Sequence, residues 1–158
     1  MPPNPPIICG GSGARPVRGL RRAGETGRDV YELTVKGEFA AAHRIREYDG
    51  SCERLHGHNW AVAVRVAAGD VDRLGMVIDF RDLKRHLAAV LDELDHTFLN
   101  DLPRFQDVNP TTEHIARTIC EGLAERLPEG AAVTSVTAWE SPKCGVTYTP
   151  DAEGEAGT

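Results

Sequence analysis

The chain has 158 residues, 41% of them apolar and 27% charged, with a formal net charge of −6. That is enough for one globular domain with its own core and too little for two. No run of about 18 apolar residues occurs, which excludes a uniformly apolar spanning helix. Four widely spaced cysteines, Cys9, Cys52, Cys120 and Cys144, do not form the dense framework of a small secreted scaffold, so a reducing, cytoplasmic setting is expected.

Residues 1–29 are rich in Pro, Gly and Arg. Five arginines (Arg15, Arg18, Arg21, Arg22, Arg28) against Glu25 and Asp29 give this segment +3, leaving −9 for the rest. A basic, apolar-poor stretch cannot offset its ordering entropy, so it reads as a disordered extension. It lacks the apolar centre of a targeting peptide. The acidic body argues against nucleic acid as the main partner. The domain itself is expected over residues 30–150, with a flexible tail at 151–158.

From Val30 the sequence "VYELTVKGEFAAAH" alternates apolar and polar residues and reads as a strand. "HNWAVAVRVAAG" repeats the pattern through Trp60, Val62, Val64 and Val66. The intervening "RIREYDGSCERLHG" is too long for a tight hairpin turn, and loops of that length tend to be functional. "DFRDLKRHLAAVLDELDHTFLN" carries Phe80, Leu83, Leu87, Val90, Leu91 and Leu94 at helical steps, with Asp79 as N-cap. A second helix is predicted in "TTEHIARTICEGLAERL", with Asn109 as N-cap and Pro110 opening it. "AAVTSVTAWES" and "KCGVTYTP" are two further strands joined by a turn containing Pro142. The order ββααββ predicts an α+β fold, a four-stranded antiparallel sheet with two helices on one face. Strand residues of both parities include apolar side chains, so the second face is expected to need cover from other subunits.

His56 and His58 lie two apart at the head of a strand and point to one face. His43 ends the preceding strand and meets them if the two strands pair. Three imidazoles on one sheet form a tripod suited to Zn²⁺, with a fourth position open for water or substrate. A His-x-His pair alone is a weak signal, because two hydrogen-bonded or solvated histidines give the same pattern. Cys52 has two readings, a fourth ligand that closes the site or a thiolate base beside it. Asp95 next to His96 is either a solvated helix end or a carboxylate that orients an imidazole for proton transfer. Glu140 ends the third strand and is either a surface acid or a carboxylate that grips the paired N–H groups of a heterocycle. Cys120 falls near the apolar face of the second helix and is expected to be buried and inert.

The ordered segments "EFAAAHRI", "C-x-x-x-HGHN", "GMVIDFRDLK", "LDHTFLN", "NPTTEHIA" and "WES…Y" resemble the 6-pyruvoyl-tetrahydropterin synthase family over about residues 30–149. Three residues between Cys52 and "HGH" resemble the bacterial 6-carboxy-5,6,7,8-tetrahydropterin synthase branch of queuosine biosynthesis. The resemblance implies a tunnelling fold whose trimers close a barrel and stack into homohexamers. It implies zinc ligands at His43, His56 and His58 and a catalytic cysteine at Cys52, which favours the open tripod. It further implies a catalytic Asp95–His96 pair, a pterin-anchoring Glu140, and pterin contacts at Thr111 and Thr112. The implied substrate is 7,8-dihydroneopterin triphosphate, cleaved to 6-carboxytetrahydropterin, acetaldehyde and triphosphate. Arg44, Arg46, Arg54 and Lys143 are candidates for the triphosphate. Glu140-Ser141 departs from the family's usual Glu-Thr, and residues 1–29 have no family counterpart.

Overall fold

The computed structural model describes residues 29–151. The expected extension therefore lies outside the described residues except for Asp29, and the expected tail except for Asp151. Strands β1 (Tyr31–His43), β2 (His56–Ala68), β3 (Ala131–Ser141) and β4 (Cys144–Tyr148) form one antiparallel sheet in the order β1-β2-β3-β4. Helices α1 (Phe80–Asp92) and α2 (Thr112–Ala124) follow β2 in sequence, giving the predicted ββααββ order. No helix among the described residues is long and apolar enough to cross a membrane.

Alternation decides which face is buried. Val35, Phe39, Ala41 and His43 of β1 turn inward, as do Trp60, Val62, Val64 and Val66 of β2 and Val133, Val136 and Ala138 of β3. They meet Leu83, Leu87, Val90 and Leu91 of α1 and Ile115, Ile119 and Leu123 of α2, which recur at the three- and four-residue steps of a helix stripe. Gly37 stands where a Cβ would lie 2.6 Å from Leu91 Cδ1, so α1 uses the space of the missing side chain to approach the sheet. Cys120 is buried in α2, as expected.

Three expectations change. The helix-free face of the sheet carries Glu32, Thr34, Lys36, Glu38, Arg65, Thr137 and Thr147, with Trp139 as a large apolar side chain among them, so it is mostly polar and not a second apolar face. The first helix ends at Asp92, although Leu94 continues its apolar period. Beyond it the chain turns onto the edge of β1: His96 N donates to Ala40 O at 2.6 Å, Ala42 N donates to Thr97 O at 2.9 Å, and Phe98 bridges Ala42 in parallel. His96 takes φ 54 to make that turn. The third change is the N-cap of α2, which is Thr111, whose Oγ1 accepts from His114 N at 3.4 Å. Asn109 is used elsewhere.

Candidate active site

The β1–β2 register places His43 directly opposite His56, and Ala41 opposite His58. His56 and His58 share the parity of Trp60, so all three imidazoles project from the helix-facing side of the sheet. Their ring centroids lie 4.5 Å (His43–His56), 5.3 Å (His43–His58) and 4.9 Å (His56–His58) apart. Trp60 is fully buried, stacks on Phe39 at 5.1 Å, and meets His43 and His58 edge-on at 5.1 Å each. This aromatic layer makes a rigid floor, because a buried ring has few ways to move in a close-packed core.

Each imidazole is prepared for metal differently. His43, 2% exposed, has Nδ1 2.8 Å from Pro110 O. A carbonyl can only accept, so Nδ1 carries the proton and Nε2 keeps its lone pair. His56 Nδ1 is set in the same way by Arg54 O at 2.7 Å. His43 Nε2 and His58 Nε2 are buried atoms with no hydrogen-bond partner among the described residues. Such orphans are rare in folded proteins and call for an explanation, and a shared cation supplies one. Burial holds the pKa of His43 and of His58 below the usual 6.5, which keeps both rings neutral and able to ligate.

Glu140, at the end of β3, completes the group. One ligand atom from each of His43, His56, His58 and Glu140 lies within 4.8 Å of the others. Glu140 Oε1 is 3.1 Å from His58 Nε2, although the approach is outside hydrogen-bond geometry, and Oε2 accepts from Thr112 Oγ1 at 2.9 Å. These four residues can hold a metal ion. The signal that Glu140 nears the histidines lies in sheet register, which pairs β2 with β3, and not in its local sequence.

Cys52 is not one of the four. It sits half-buried in a short 3-10 turn, Ser51–Glu53, and its carbonyl accepts from Ile45 N at 2.8 Å. Asp95 and His96 lie on the segment beside the β1 edge. Asp95 Oδ1 accepts from Ala40 N at 2.7 Å, and Oδ2 accepts from His96 Nδ1 at 2.7 Å. The Ala40 N–H, then the His96 ring, hold the Asp95 carboxyl below the usual carboxylate range. His96 Nε2 is left to exchange a proton, on a side chain that is 83% exposed. A surface cleft of about 580 Å³ runs between Ala40–Ala42, Gly57–Asn59 and His96–Phe98, joining the exposed pair to the rim of the tripod.

Thr112 is drawn to this centre through Glu140, whereas Thr111 is occupied as the helix cap. Arg46 is withdrawn from the anion-binding candidates, because its Nη2 donates to Phe105 O at 2.6 Å and to Val108 O at 2.5 Å.

Comparison with known proteins places the chain in a family. Residues 32–151 match the model of the family described as 6-pyruvoyl tetrahydropterin synthase. The chain is 34% identical to the 6-carboxy-5,6,7,8-tetrahydropterin synthase of Rickettsia conorii, over 73% of this chain and 97% of that protein. It is 37% identical to the dihydroneopterin monophosphate aldolase of Pyrococcus furiosus, over 72% and 93%. Among solved structures, the 6-pyruvoyl tetrahydropterin synthase of Caenorhabditis elegans superposes with a TM-score of 0.69 at 30% identity, covering 78% of this chain and 98% of that one. By sequence and fold, the chain belongs to the 6-pyruvoyl tetrahydropterin synthase family.

Proposed function

We propose that the protein is a zinc-dependent pterin lyase, a 6-carboxy-5,6,7,8-tetrahydropterin synthase that acts on 7,8-dihydroneopterin triphosphate in 7-deazapurine (queuosine) biosynthesis. The observation that carries this reading is the convergence of His43, His56 and His58 with two orphaned Nε2 atoms at one end of the sheet. Curated relatives bearing that enzyme name, in Rickettsia conorii and Bacillus subtilis among others, support the choice of reaction.

When bound at the tripod, zinc supplies Lewis acidity toward oxygens of the pterin side chain. The chain's own residues do the rest. Cys52 thiolate removes and returns protons at the side-chain carbons. His96, oriented by Asp95, is the matching acid and base. Once His58 Nε2 serves as a ligand, Glu140 Oε1 is left to accept from the paired N–H groups of the pterin. Thr112 holds the other oxygen still, and Thr111 borders the same helix start. In the assembled protein, a trimer-based ring stacked as a hexamer, Asp95 and His96 of one subunit serve the Cys52 of its neighbour. The β1 edge ahead of Ala40 and the outer edge of β4 have no strand partner among the described residues, which supports such pairing, since unpaired edges are a liability that a closed barrel removes.

Anaerobic incubation of the zinc-loaded protein with dihydroneopterin triphosphate, followed by product mass, tests the proposal. Release of 6-carboxytetrahydropterin and acetaldehyde is expected. The Pyrococcus relative favours a second reading in which the side chain is cleaved to leave 6-hydroxymethyl-dihydropterin, and that product would replace the first reading with the second. A 6-pyruvoyl product would move the protein to the remaining branch. Metal without turnover of any pterin would identify a zinc-binding module.

A further inference from the structure

Past His43 the chain leaves β1 and enters a turn at Arg46, with no strand on its outer side among the described residues. Two side chains stand where that strand would be. Arg44 N donates to Asn100 Oδ1 at 2.9 Å, and Arg44 O accepts from Asn100 Nδ2 at 2.9 Å. Two residues on, Arg46 N donates to Asn109 Oδ1 at 2.8 Å, and Arg46 O accepts from Asn109 Nδ2 at 3.0 Å. Between them Ile45 N faces the opposite way and donates to Cys52 O at 2.8 Å. Residues 44 and 46 bonding to one side and 45 to the other is the alternation of an antiparallel ladder. A primary amide offers an acceptor and a donor side by side, so each asparagine replaces one residue of a missing strand.

We propose that Asn100 and Asn109 are positioning residues, an amide clamp that sets the metal ligand His43 and the loop of Cys52 in register with each other. The inference rests on the metal reading given above. Asn100 fixes the residue directly after His43. Asn109 acts from both ends: its side chain holds Arg46, and the next carbonyl, that of Pro110, orients the His43 ring. The Asn109 main-chain oxygen is itself engaged, accepting from Thr111 N at 2.8 Å and His114 Nδ1 at 2.7 Å, so the whole segment is anchored to the start of α2. Through Ile45 the same three residues hold Cys52. Groups that orient metal ligands from outside typically change metal affinity about 10- to 100-fold when removed. A loop staple with no such role would change stability alone.

The test compares Co²⁺ binding by wild type, Asn100→Ala, Asn109→Asp and Val90→Ala. Dissociation constants come from chelator competition, and ligand geometry from the visible cobalt bands. Val90 is a buried residue of the α1 core and serves as a control for lost stability. Asn109→Asp keeps the shape and the acceptor for Arg46 N–H but turns an oxygen toward the Arg46 carbonyl. Both asparagine variants are expected to bind cobalt about 10- to 100-fold more weakly, with altered bands, while Val90→Ala keeps the wild-type constant. Should the nearly buried Asn100 variant fail to fold, Asn109→Asp decides alone. Wild-type affinity and bands in the folded asparagine variants, or equal weakening in Val90→Ala, would overturn the clamp and leave the metal reading intact. Wild type that takes up no cobalt would overturn the metal reading, and the clamp with it.

Discussion

The molecule holds two kinds of histidine site near one end of β1, and they differ in burial and in what the ring's Nδ1 meets. His43 is buried and gives Nδ1–H to a backbone carbonyl, a neutral acceptor. His96 is exposed and gives Nδ1–H to a carboxylate. Burial keeps the His43 imidazole uncharged against the opposing pull of the Pro110 carbonyl, and that carbonyl fixes the proton on Nδ1, so the Nε2 lone pair is ready for a metal. A carboxylate partner fixes the exposed ring's orientation and its Nδ1 proton, leaving Nε2 to take and give one, which is what proton transfer needs. One side chain thus does two jobs, and its burial, with the partner of Nδ1, sets which.

The largest effect should come from the buried set. His43→Ala, His56→Ala or His58→Ala each removes a ligand, so bound zinc and turnover should fall together. The loss of affinity should exceed the ~100-fold upper end typical of outer-shell changes. Metal analysis of the purified variants checks this, and full zinc in all three would erase the distinction between the two sites.

Cys52→Ala should next separate the sites cleanly. The thiol lies outside the group of four, so zinc should stay while turnover drops about 10²- to 10⁴-fold, the usual range for a lost acid–base group. A zinc-free Cys52→Ala protein would make the cysteine a ligand after all. Asp95→Asn should cost less, toward ~10²-fold in kcat, because His96 remains in place but loses its anionic partner. The variant should keep its metal and show an altered pH–rate profile. An unchanged profile would reduce Asp95 to its structural bond with Ala40 N.

What the sequence could show of this contrast follows from range. The sheet and the tripod were legible because period-two alternation fixes the face of every strand residue, and His56 and His58 share that of Trp60 and Val62. The end of α1 was not, since Leu94 extends the apolar period while a contact with β1, more than fifty residues away, pulls His96 out of the helix. Asn109 looked like an N-cap from its residue type and the following proline. Its side chain instead bonds a backbone 63 residues away, and Thr111 caps the helix. Local chemistry named the residues, and long-range hydrogen bonds decided their use. The second face of the sheet misled for a different reason: Ala40, Ala42, Ala61 and Ala63 count as apolar, but they are small and stand among charged neighbours.

The smallest effect is also the most direct measure of the contrast, the pH dependence of stability in the metal-free protein. Burial depresses the pKa of His43 and His58 in the folded state below the ordinary 6.5. Between those depressed values and 6.5 the unfolded chain binds more protons than the folded one, so stability there rises with pH. The contribution is fully present above about 6.5 and is lost as pH falls through the folded values. Asp95 has the same sign in another window. Its carboxyl is held below the ordinary 3.8, first by the Ala40 N–H and then by His96, so its contribution persists above that value and fades only as pH drops further. Tm of the metal-free protein should therefore fall in two stages on acidification. The early stage should vanish in a His43→Gln, His58→Gln double variant, and the late one should weaken in Asp95→Asn. A Tm that stays flat from pH 7 down to 5 would mean that the tripod imidazoles are not held neutral by burial, and the physical basis for separating them from His96 would fail.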